Sequence, residues 1–507
     1  MQLSRKILTQ LDAGTVAVPA ETLFTLPERV LQFGTGVLLR GLPDHFIDKA
    51  NKQNIFNGRI VIVKSTATGG TDSFAKQDGL YTLLERGVVN GEQTEKTSIN
   101  ASVSRVLSAN DEWDEILKLA ADPVMQIIIS NTTEVGITLV ESDAKATKPV
   151  SFPGRVLFFL LERFRVFNGS SDAGMVIIPT ELIVDNATKL KAIVLTLAKL
   201  KGVTEDCLNW LTDDNDFCNS LVDCIVPGKL PATEQVSEEK KLGYGDELMI
   251  MSEPYRLWAI ETKSKRTKNI LSFSKSDDSV VLAPDINKFR ELKLRLLNAT
   301  HTLSCGLAFL SGFTTVKEAM QDEAFVSFIS SLMMQEIIPL VVQNDITKEE
   351  ATIFAQQVID RFKNPFIEHL WLNITVQYTS KMGMRTVPLV EKHYACGNDV
   401  PELMALGFAA FLLFMRSKKE EDNQYYGELN GNTYKIQDDK APLLYYQWHS
   451  HSEENVAKSG LQDIGIFGAD LTKFPGFAEA VNRYLGILLE SGAKHTLRSI
   501  FAKKSVA

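Results

Sequence analysis

Cysteine is scarce in this sequence, and its arrangement excludes two common kinds of stabilisation. The chain of 507 residues contains five cysteines, an odd number, and no two of them form a C-x-x-C pair. We therefore expect neither a disulfide framework nor a metal site, and a reducing compartment suits the chain. The five positions are Cys207, Cys218, Cys224, Cys305 and Cys396.

Long hydrophobic runs and basic runs are also missing. The longest apolar run, Leu403 to Met415, is too short to cross a membrane and predicts a buried helix. The beginning of the sequence lacks the apolar core of a signal peptide. A formal net charge of −9, without a stripe of Lys and Arg, argues against nucleic acid as a partner. We expect a cytoplasmic protein that binds neither membranes nor nucleic acid.

A glycine turn follows the first clear strand pattern. Arg29 to Phe33 is a short apolar run, and it leads directly into Gly34-Thr35-Gly36 and the helix-compatible stretch Val37 to Arg40. Glycine lets a backbone approach a pyrophosphate closely, and the free N–H groups at a helix start favour its negative charge. A second buried strand pattern, Ile60 to Val63, follows at the spacing of a βαβ unit. The pattern predicts a dinucleotide site.

The glycine fingerprint is incomplete, so other interpretations stay open. Leu39 stands where a third glycine is usual, and an ordinary strand-to-helix turn explains Gly34 and Gly36 equally well. Lys64-Ser65-Thr66, at the end of the second strand, lacks the acidic residue that holds the ribose of NAD. Lys64 could instead meet the 2′-phosphate of NADP. The residues leave the choice between NAD and NADP open.

Two further apolar runs have α/β spacing. Val124 to Ile129 ends in polar residues that include Asn131, Thr132 and Glu134, and Gly174 to Ile178 ends in Pro179-Thr180-Glu181. Open α/β sheets bind ligands at the carboxyl ends of their strands. Helical patterns over 111–121 and 155–166 separate the strands. We predict an α/β, Rossmann-like doubly wound domain over residues 1–284.

The character of the sequence changes after Pro284. Strand patterns nearly vanish, apart from a short hairpin pattern around Tyr426 to Ile436. We predict a mainly α-helical C-terminal domain over residues 285–507, with a ligand site in the cleft beside the first domain. The long helical patterns cover residues 286–311, 322–342, 347–362, 401–416 and 474–491.

The first of these helical patterns carries the strongest candidate for chemistry. Leu292, Leu296, Ala299 and Leu303 recur at helical spacing and form one apolar stripe. At about 100° per residue, an α-helix would bring Lys293, Asn298 and His301 within an arc of about 140° on the other side. A solvated polar face explains such an arc as well, so the helix alone does not decide its function.

Several motifs in the same order resemble one family, the polyol-specific long-chain dehydrogenases of the mannitol dehydrogenase family. Lys293, Asn298 and His301 match its K-x-x-x-x-N-x-x-H signature, and the glycine turn is followed by Arg40-Gly41, as in the family. Asp223, in Asn219 to Asp223, matches less well because Cys224 stands where the family has an arginine. The resemblance implies a two-domain, metal-free dehydrogenase that uses NAD, with NADP not excluded.

The resemblance also implies a role for each residue. Lys293 would be the general acid/base, Asn298 and Asn186 would donate hydrogen bonds to the developing oxyanion, and His301 would orient the reactive carbinol. The remaining candidates share a binding role. For the cofactor they are Phe33, Gly34, Thr35, Gly36, Arg40, Asn131 and Thr132; for the substrate they are Lys381, Arg385, Asp223 and Glu134.

Within the family, three stretches are most similar to the branch that reduces the keto-hexuronate tagaturonate. They are Ser130 to Glu134, Pro179 to Ile183, and Arg361 to His369 continuing to Pro388. A small sugar acid is then the expected partner, and its carboxylate calls for a cation such as Arg385 or Lys381, with Arg361 in reserve. Fructuronate reduction, oxidation of an uncharged polyol and a catalytically dead dinucleotide sensor are the alternatives. The sequence leaves the oligomeric state open.

Overall fold

A computed structural model describes residues 1–12, 14–65, 72–132, 136–342, 345–397 and 399–501. The chain divides into two compact units. The first comprises Met1–Arg86 and Thr94–Ile286, and the second comprises Gly87–Gln93 and Asn287–Ala507. The short segment Gly87–Gln93 is the tip of a hairpin whose strands lie mostly in the first unit.

A six-stranded parallel sheet organises the first unit. Numbered along the chain within this sheet, the strands lie in the order 3-2-1-4-5-6, which is the order of a dinucleotide-binding fold. The predicted Rossmann-like sheet is confirmed. The strands are Glu28–Phe33, Arg59–Lys64, Val103–Ser108, Ile127–Ser130, Val176–Pro179 and Asp216–Phe217.

Both faces of the sheet are covered, which explains why its strands are continuously apolar. Leu31 and Val61 belong to the core on one face, whereas Val30, Ile60 and Ile62 belong to the core on the other. Successive side chains of a strand point to opposite faces, so a strand buried on both sides needs an unbroken apolar run. This unbroken apolar run is the feature of the sequence that predicted the strands.

Two predicted strands begin later than expected. Val124 is exposed in a turn, and its strand starts at Ile127, while the next strand starts at Val176.

Helices of the first unit pack on this sheet. The α-helices are Val37–Gly41, Pro43–Lys52, Asp72–Lys76, Trp113–Lys118, Phe152–Val166, Asn186–Lys201, Glu205–Asp213, Ala232–Leu242 and Lys265–Ile270. Short 3₁₀-helices are Arg5–Gln10, Glu21–Thr25, Leu119–Ala121, Glu141–Lys145, Ser171–Ala173 and Ser272–Ser276.

Two small sheets in this unit were not predicted individually. One joins Tyr81–Val89 to Glu92–Asn100 and to Ile250–Ser252, and the other joins Leu257–Glu261 to Ser220–Asp223 and Val280–Ala283. The strands pair across long stretches of sequence: Met251 lies opposite Leu84, for example. Such pairing depends on the tertiary fold, and no local pattern announces it.

The second unit is mainly helical, as predicted. The strand pattern near Tyr426 proves to be a three-stranded antiparallel sheet, Lys419–Glu421, Gln424–Leu429 and Asn432–Ile436. The α-helices are Asn287–Leu292, Thr300–Leu310, Val316–Ala319, Glu323–Ser331, Ile338–Val341, Lys348–Phe362, Trp371–Ile374, Tyr378–Lys381, Val387–Ala395, Glu402–Phe414, Ala441–Ser450, Glu453–Gln462, Ile464–Phe467, Phe477–Ser491 and Ala493–Phe501. A 3₁₀-helix covers Leu471–Lys473.

Three of these helices are interrupted by π-helical turns. The turns are Lys293–Ala299, Leu332–Ile337 and Met382–Thr386, and each continues directly into α-helix on both sides. A π-turn closes i→i+5 hydrogen bonds, is rare, and is frequent at functional sites. Two of the three turns carry predicted site residues.

The apolar run Leu403 to Met415 forms the central helix Glu402–Phe414, which is buried as predicted. It packs closely on Thr300–Leu310, because a Cβ at Gly407 would lie 2.8 Å from the Leu303 carbonyl oxygen. One other helix, Glu323–Val341, has the length and hydropathy of a membrane span, but 56% of its apolar window is buried inside the protein. A buried core helix has the same character, so this is weak evidence for a membrane segment.

Candidate active site

The glycine turn is built by the first and fourth strands of the main sheet. Gly34 has φ +129°, and a Cβ there would lie 2.9 Å from Leu39 Cδ1 and 3.1 Å from the Asn131 carbonyl oxygen. The backbone N–H of Gly34 donates to Val63, and that of Asn131 donates to Phe33. Because φ is positive and the space is filled, only glycine fits at position 34.

A cavity of about 540 Å³ lies at this turn, at the carboxyl ends of the strands. Gly36 faces open space, with nothing within 4 Å of where its Cβ would be. The buried Ser65 Oγ has no hydrogen-bond partner among the described residues. The lining residues are Gly34, Thr35, Gly36, Ser65, Asn131, Thr132, Gly136, Thr138, Val140, Val150, Ser151, Phe152 and Arg155. Open backbone, an unsatisfied hydroxyl and apolar walls fit a dinucleotide.

The loop after the fourth strand is held by a carboxylate that sequence reasoning did not single out. Glu181 accepts hydrogen bonds from Ser130 Oγ at 3.1 Å, from the Thr132 backbone N–H at 2.8 Å and from Thr132 Oγ1 at 2.9 Å. The Asn131 amide donates to Thr180. In the sequence, the only indication of this role was that Glu181 belongs to the polar residues after a buried strand, in Pro179-Thr180-Glu181.

Two residues predicted to bind the cofactor do not line this cavity. Phe33 is fully buried in the core beneath the turn, with its ring 5.2 Å from that of Phe152, which does line the cavity. Arg40 is buried as well, and its guanidinium donates to the carbonyl of Leu248 and lies over the ring of Tyr81. Both side chains point into the packed interior, and the cofactor-binding roles of Phe33 and Arg40 stay predictions.

Asn186 is bound to backbone groups on several sides. The residue is fully buried in the first unit, and its amide nitrogen lies 3.0 to 3.1 Å from three backbone carbonyl oxygens, those of Pro179, Glu181 and Ser220. Its side-chain oxygen accepts from the backbone N–H of Ser220 and Ala187. With every polar atom engaged, Asn186 ties a strand end to the next segment, and its role as an oxyanion donor stays a prediction.

The other predicted residues of this unit have different outcomes. Asp223 ends the strand Ser220–Asp223 and is buried, with the backbone register opposite Leu257, and its substrate role stays a prediction. Glu134 lies outside the described residues, so its role stays a prediction too.

In the second unit, the signature residues lie on one helical run with a π-turn at its centre. Lys293 and Asn298 are half-buried in the π-turn Lys293–Ala299, and His301 follows one residue into the next α-helix. Leu296, Ala299 and the other stripe residues are buried as predicted. The predicted arc of about 140° assumed α-helical spacing throughout, and it is wrong because a π-turn holds more residues.

His301 is enclosed by aromatic rings. Its imidazole stacks on Phe362 with centroids 4.1 Å apart and planes 6° apart, and the rings of His369 and Trp371 stand perpendicular to it at 5.3 and 6.0 Å. Its buried Nε2 has no hydrogen-bond partner in the described part of the chain. Burial, His369 and the cations Arg361, Arg385 and Lys381 hold the pKa of His301 well below its ordinary value of 6.5.

The predicted carboxylate-binding residues lie around this histidine. Lys381 donates to the Ile374 carbonyl at 2.8 Å, and Arg385 donates to Thr302 Oγ1 at 3.2 Å. Burial, followed by the charge of Arg385, lowers the pKa of Lys381, and burial lowers the pKa of Arg385. Lys381 precedes the π-turn Met382–Thr386 and Arg385 lies within it, and this turn packs on the π-turn that carries Lys293.

The geometry thus joins an amine, an amide, an imidazole and cations on neighbouring turns of one unit. Such a set can exchange a proton, donate hydrogen bonds to an oxygen and attract an anion. Across the residues that the structure describes, no group of three or more His, Cys, Asp and Glu side chains is placed to hold a metal ion.

Comparison with known proteins accounts for both units. Residues 28–272 match the mannitol dehydrogenase Rossmann domain, and residues 285–488 match the mannitol dehydrogenase C-terminal domain. The chain belongs to the mannitol dehydrogenase family. It is therefore an NAD-dependent oxidoreductase that acts on CH–OH groups, as the resemblance of the sequence implied.

Two relatives in this family cover nearly the whole chain. The altronate oxidoreductase of Halalkalibacterium halodurans is 35% identical over 484 residues, which are 94% of this chain and 93% of the relative. The altronate oxidoreductase of Escherichia coli (strain K12) is 36% identical over 484 residues, 94% of this chain and 97% of the relative.

Solved structures share the fold. The ternary complex of Pseudomonas fluorescens mannitol 2-dehydrogenase with NAD and D-mannitol is similar with a TM-score of 0.70 and 23% identity, covering 99% of this chain and 100% of that one. A substrate-free D-sorbitol dehydrogenase is similar with a TM-score of 0.79 and 20% identity, covering 98% of this chain and 100% of that one. The predicted fold class, an α/β Rossmann-like domain followed by a mainly helical domain, is confirmed.

Proposed function

We propose that this oxidoreductase interconverts tagaturonate and altronate with NAD(H), in the cytoplasm, on a small sugar-acid substrate. The observation that carries the proposal is the set of cations around His301: Arg361, Lys381 and Arg385. An uncharged polyol would gain little from such a set, whereas a hexuronate carries a carboxylate that cations bind. The altronate oxidoreductases that cover 94% of the chain support the same substrate class.

The proposed division of labour follows the two parts of the chain. Residues 1–284 bind the dinucleotide, and residues 285–507 carry the catalytic and substrate-binding side chains. The cavity lined by Gly34, Gly36, Asn131 and Thr132 would hold NAD, with the buried Ser65 hydroxyl available for a hydrogen bond. When bound, NAD accepts or supplies the hydride at its nicotinamide ring.

Proton transfer is assigned to Lys293. As the substrate carbonyl becomes an alcohol, its oxygen gains negative charge and must receive a proton, and the reverse direction requires a base for the hydroxyl proton. The Lys293 amine gives and takes this proton, and the proposal includes no metal. Its half-buried position on a π-turn supports the role, because such turns are frequent at functional sites.

Two further side chains complete the reacting end. Asn298 donates an amide N–H to the oxygen as its charge develops, a contact whose loss costs about 3–4 kcal/mol in a transition state. His301 offers its buried Nε2 to a substrate hydroxyl and so orients the carbinol. The stack on Phe362 keeps the imidazole in one plane.

One assay tests the substrate. The oxidation of NADH is followed with tagaturonate, fructuronate and fructose in turn, and each is repeated with NADPH. We expect the highest kcat/KM with tagaturonate and NADH. Turnover of fructose without turnover of either keto acid contradicts the proposal and makes the enzyme a polyol dehydrogenase. A preference for fructuronate would move it to the other hexuronate branch, and cofactor binding without any turnover would make it a sensor.

A substitution tests the carboxylate contact. Arg385→Ala should raise KM for the keto acid by about 10- to 100-fold, the loss of a charge-assisted hydrogen bond, with a much smaller effect on a neutral ketose. Arg483→Ala is the matched control, since Arg483 is an exposed arginine of the same unit that pairs with Glu402. Equal effects of Arg385→Ala on the acid and on the neutral sugar would remove Arg385 from the role.

A further inference from the structure

A second histidine, His369, lies beside His301. His369 lies between the helices Lys348–Phe362 and Trp371–Ile374, and its ring is perpendicular to that of His301 with centroids 5.3 Å apart. Its backbone is fixed, because its carbonyl accepts from the Val316 N–H at 2.9 Å. Its side chain is partly exposed, whereas His301 Nε2 is buried. Both residues are half-buried, so the two imidazoles form one partly accessible pair.

Two cations act on the imidazole of His369. Burial, followed by Lys381 and then Arg361, lowers the pKa of His369 from its ordinary value of 6.5. Glu368, the next residue, is exposed and forms an ion pair with Lys317. Among the described residues, the charged groups that shift the pKa of His369 are cations only.

Further groups among the described residues act on the pair or on Lys381. His301 contributes a neutral imidazole, and Arg385 contributes another cation. Asp438 acts on Lys381, but burial raises the pKa of this carboxyl, and its oxygens already accept from the backbone N–H groups of Thr379 and Lys440. A pair of neutral imidazoles among cations is suited to binding an anion.

We propose that His369 is a further substrate-binding residue, which binds the carboxylate of the sugar acid as an imidazolium and takes up a proton when the acid binds. The inference rests on the proposed function, because it needs an anionic substrate. The physical reason is reciprocal: the cations disfavour the imidazolium while the site is empty, and a bound carboxylate favours it. The proton comes from solvent, and no covalent step is involved.

The consequence is a binding equilibrium that depends on pH. Affinity for the sugar acid falls as pH rises through the range in which the bound imidazolium loses its proton. A neutral sugar neither needs nor induces the charge, so its affinity stays level over the same range. By thermodynamic linkage, this pH dependence of the affinity requires that the enzyme takes up the same proton when the sugar acid binds.

Calorimetric titration of the enzyme–NADH complex with altronate measures this uptake. The heat is recorded near neutral pH in two buffers with different ionisation enthalpies, and the difference gives the protons taken up. We expect net uptake with the wild type. His369→Gln should abolish the uptake, weaken altronate binding by about 10- to 100-fold and raise KM with little change in kcat. His449→Gln, which alters an exposed histidine of the same unit, should change neither quantity.

A second variant separates charge from structure. His369→Lys carries a fixed charge, so it should bind altronate without proton uptake and with an affinity nearly independent of pH. This variant decides the question if His369→Gln loses its thermal transition or its NADH affinity. Altronate binding by the wild type without uptake, or unchanged uptake in His369→Gln, overturns the role of His369 and leaves the proposed function intact. Failure of the wild type to bind or oxidise any sugar acid overturns both.

Discussion

The imidazole of His301 lies flat against the phenyl ring of Phe362, with centroids 4.1 Å apart and planes within 6° of each other. The perpendicular Trp371 ring limits its movement further. His301 follows a π-turn on one helix, and Phe362 ends another, so the stack also joins the helix that carries His301 to Lys348–Phe362. The apolar side chain of Phe362 thereby holds the His301 imidazole in its orientation.

Removal of this stack should lower activity more than stability. Phe362→Leu keeps most of the volume, so unfolding free energy should fall by less than about 1.5 kcal/mol. Without the stack, kcat/KM should fall by about 10- to 100-fold, because small misplacements of catalytic groups have effects of that size. Steady-state kinetics and chemical unfolding measure the two quantities. Phe309→Leu, at an aromatic pair elsewhere in the same unit, is the control and should leave kcat/KM unchanged.

Lys293→Ala should abolish hydride transfer with almost no effect on NADH binding. Loss of a general acid/base lowers the rate by about 10²- to 10⁴-fold, and the dinucleotide cavity is built from other residues. Stopped-flow kinetics measure hydride transfer, and fluorescence titration measures NADH binding. Lys288→Ala is the control. Lys288 lies on the same helical run as Lys293 and pairs with Glu350 at 3.0 Å, and its loss should leave hydride transfer nearly unchanged. Similar turnover in Lys293→Ala and wild type would exclude this lysine as the acid/base.

The two glycines of the turn should respond differently to the same substitution. Gly34→Ala meets a positive φ and a filled space, so we expect a loss of about 1–3 kcal/mol in unfolding free energy, with NADH binding lost as well. Gly36→Ala meets no atom within 4 Å and should keep stability while weakening NADH binding, since its Cβ would enter the cavity. Thermal unfolding and NADH titration compare them. Tight NADH binding by Gly36→Ala would argue that the cofactor lies elsewhere.

Two asparagines should separate catalysis from folding. Asn298→Ala should lower kcat by about 10²- to 10³-fold and leave unfolding free energy nearly unchanged. Asn186→Ala should cost at least about 2 kcal/mol of stability, because it removes the side-chain acceptor of the buried Ser220 N–H and a donor to three backbone carbonyls. Urea unfolding and steady-state kinetics on both variants make the comparison. A stable Asn186→Ala enzyme with strongly reduced kcat would instead support a role for Asn186 in the active site.

Local sequence patterns predicted the elements with strong hydrophobic signals. The runs Ile60 to Val63 and Leu403 to Met415 are a buried strand and a buried helix because apolar periodicity reflects burial directly. The small sheets were missed, since strands such as Ile250–Ser252 pair with distant segments and carry no local mark. The π-turn at Lys293–Ala299 was missed for a related reason: an inserted turn leaves the apolar stripe nearly unchanged.

The sequence motifs located important residues more reliably than they predicted the contacts of those residues. Arg40 and Asn186 both follow motif positions, yet one is buried against Leu248 and the other is saturated with backbone hydrogen bonds. Spacing cannot say whether a polar side chain faces a cavity or the interior. Glu181 shows the converse, a loop-holding carboxylate whose partners lie 49 to 51 residues earlier in the chain.

By itself, the sequence determined the family, the Rossmann-like sheet, the helical second half and the signature Lys293, Asn298 and His301. These follow from periodicity and short motifs, which are local properties of the chain. The tertiary structure alone decided that His301 lies on Phe362, beside His369 and among the cations. Those neighbours come from separate helices, so their contacts exist only once the helices have packed.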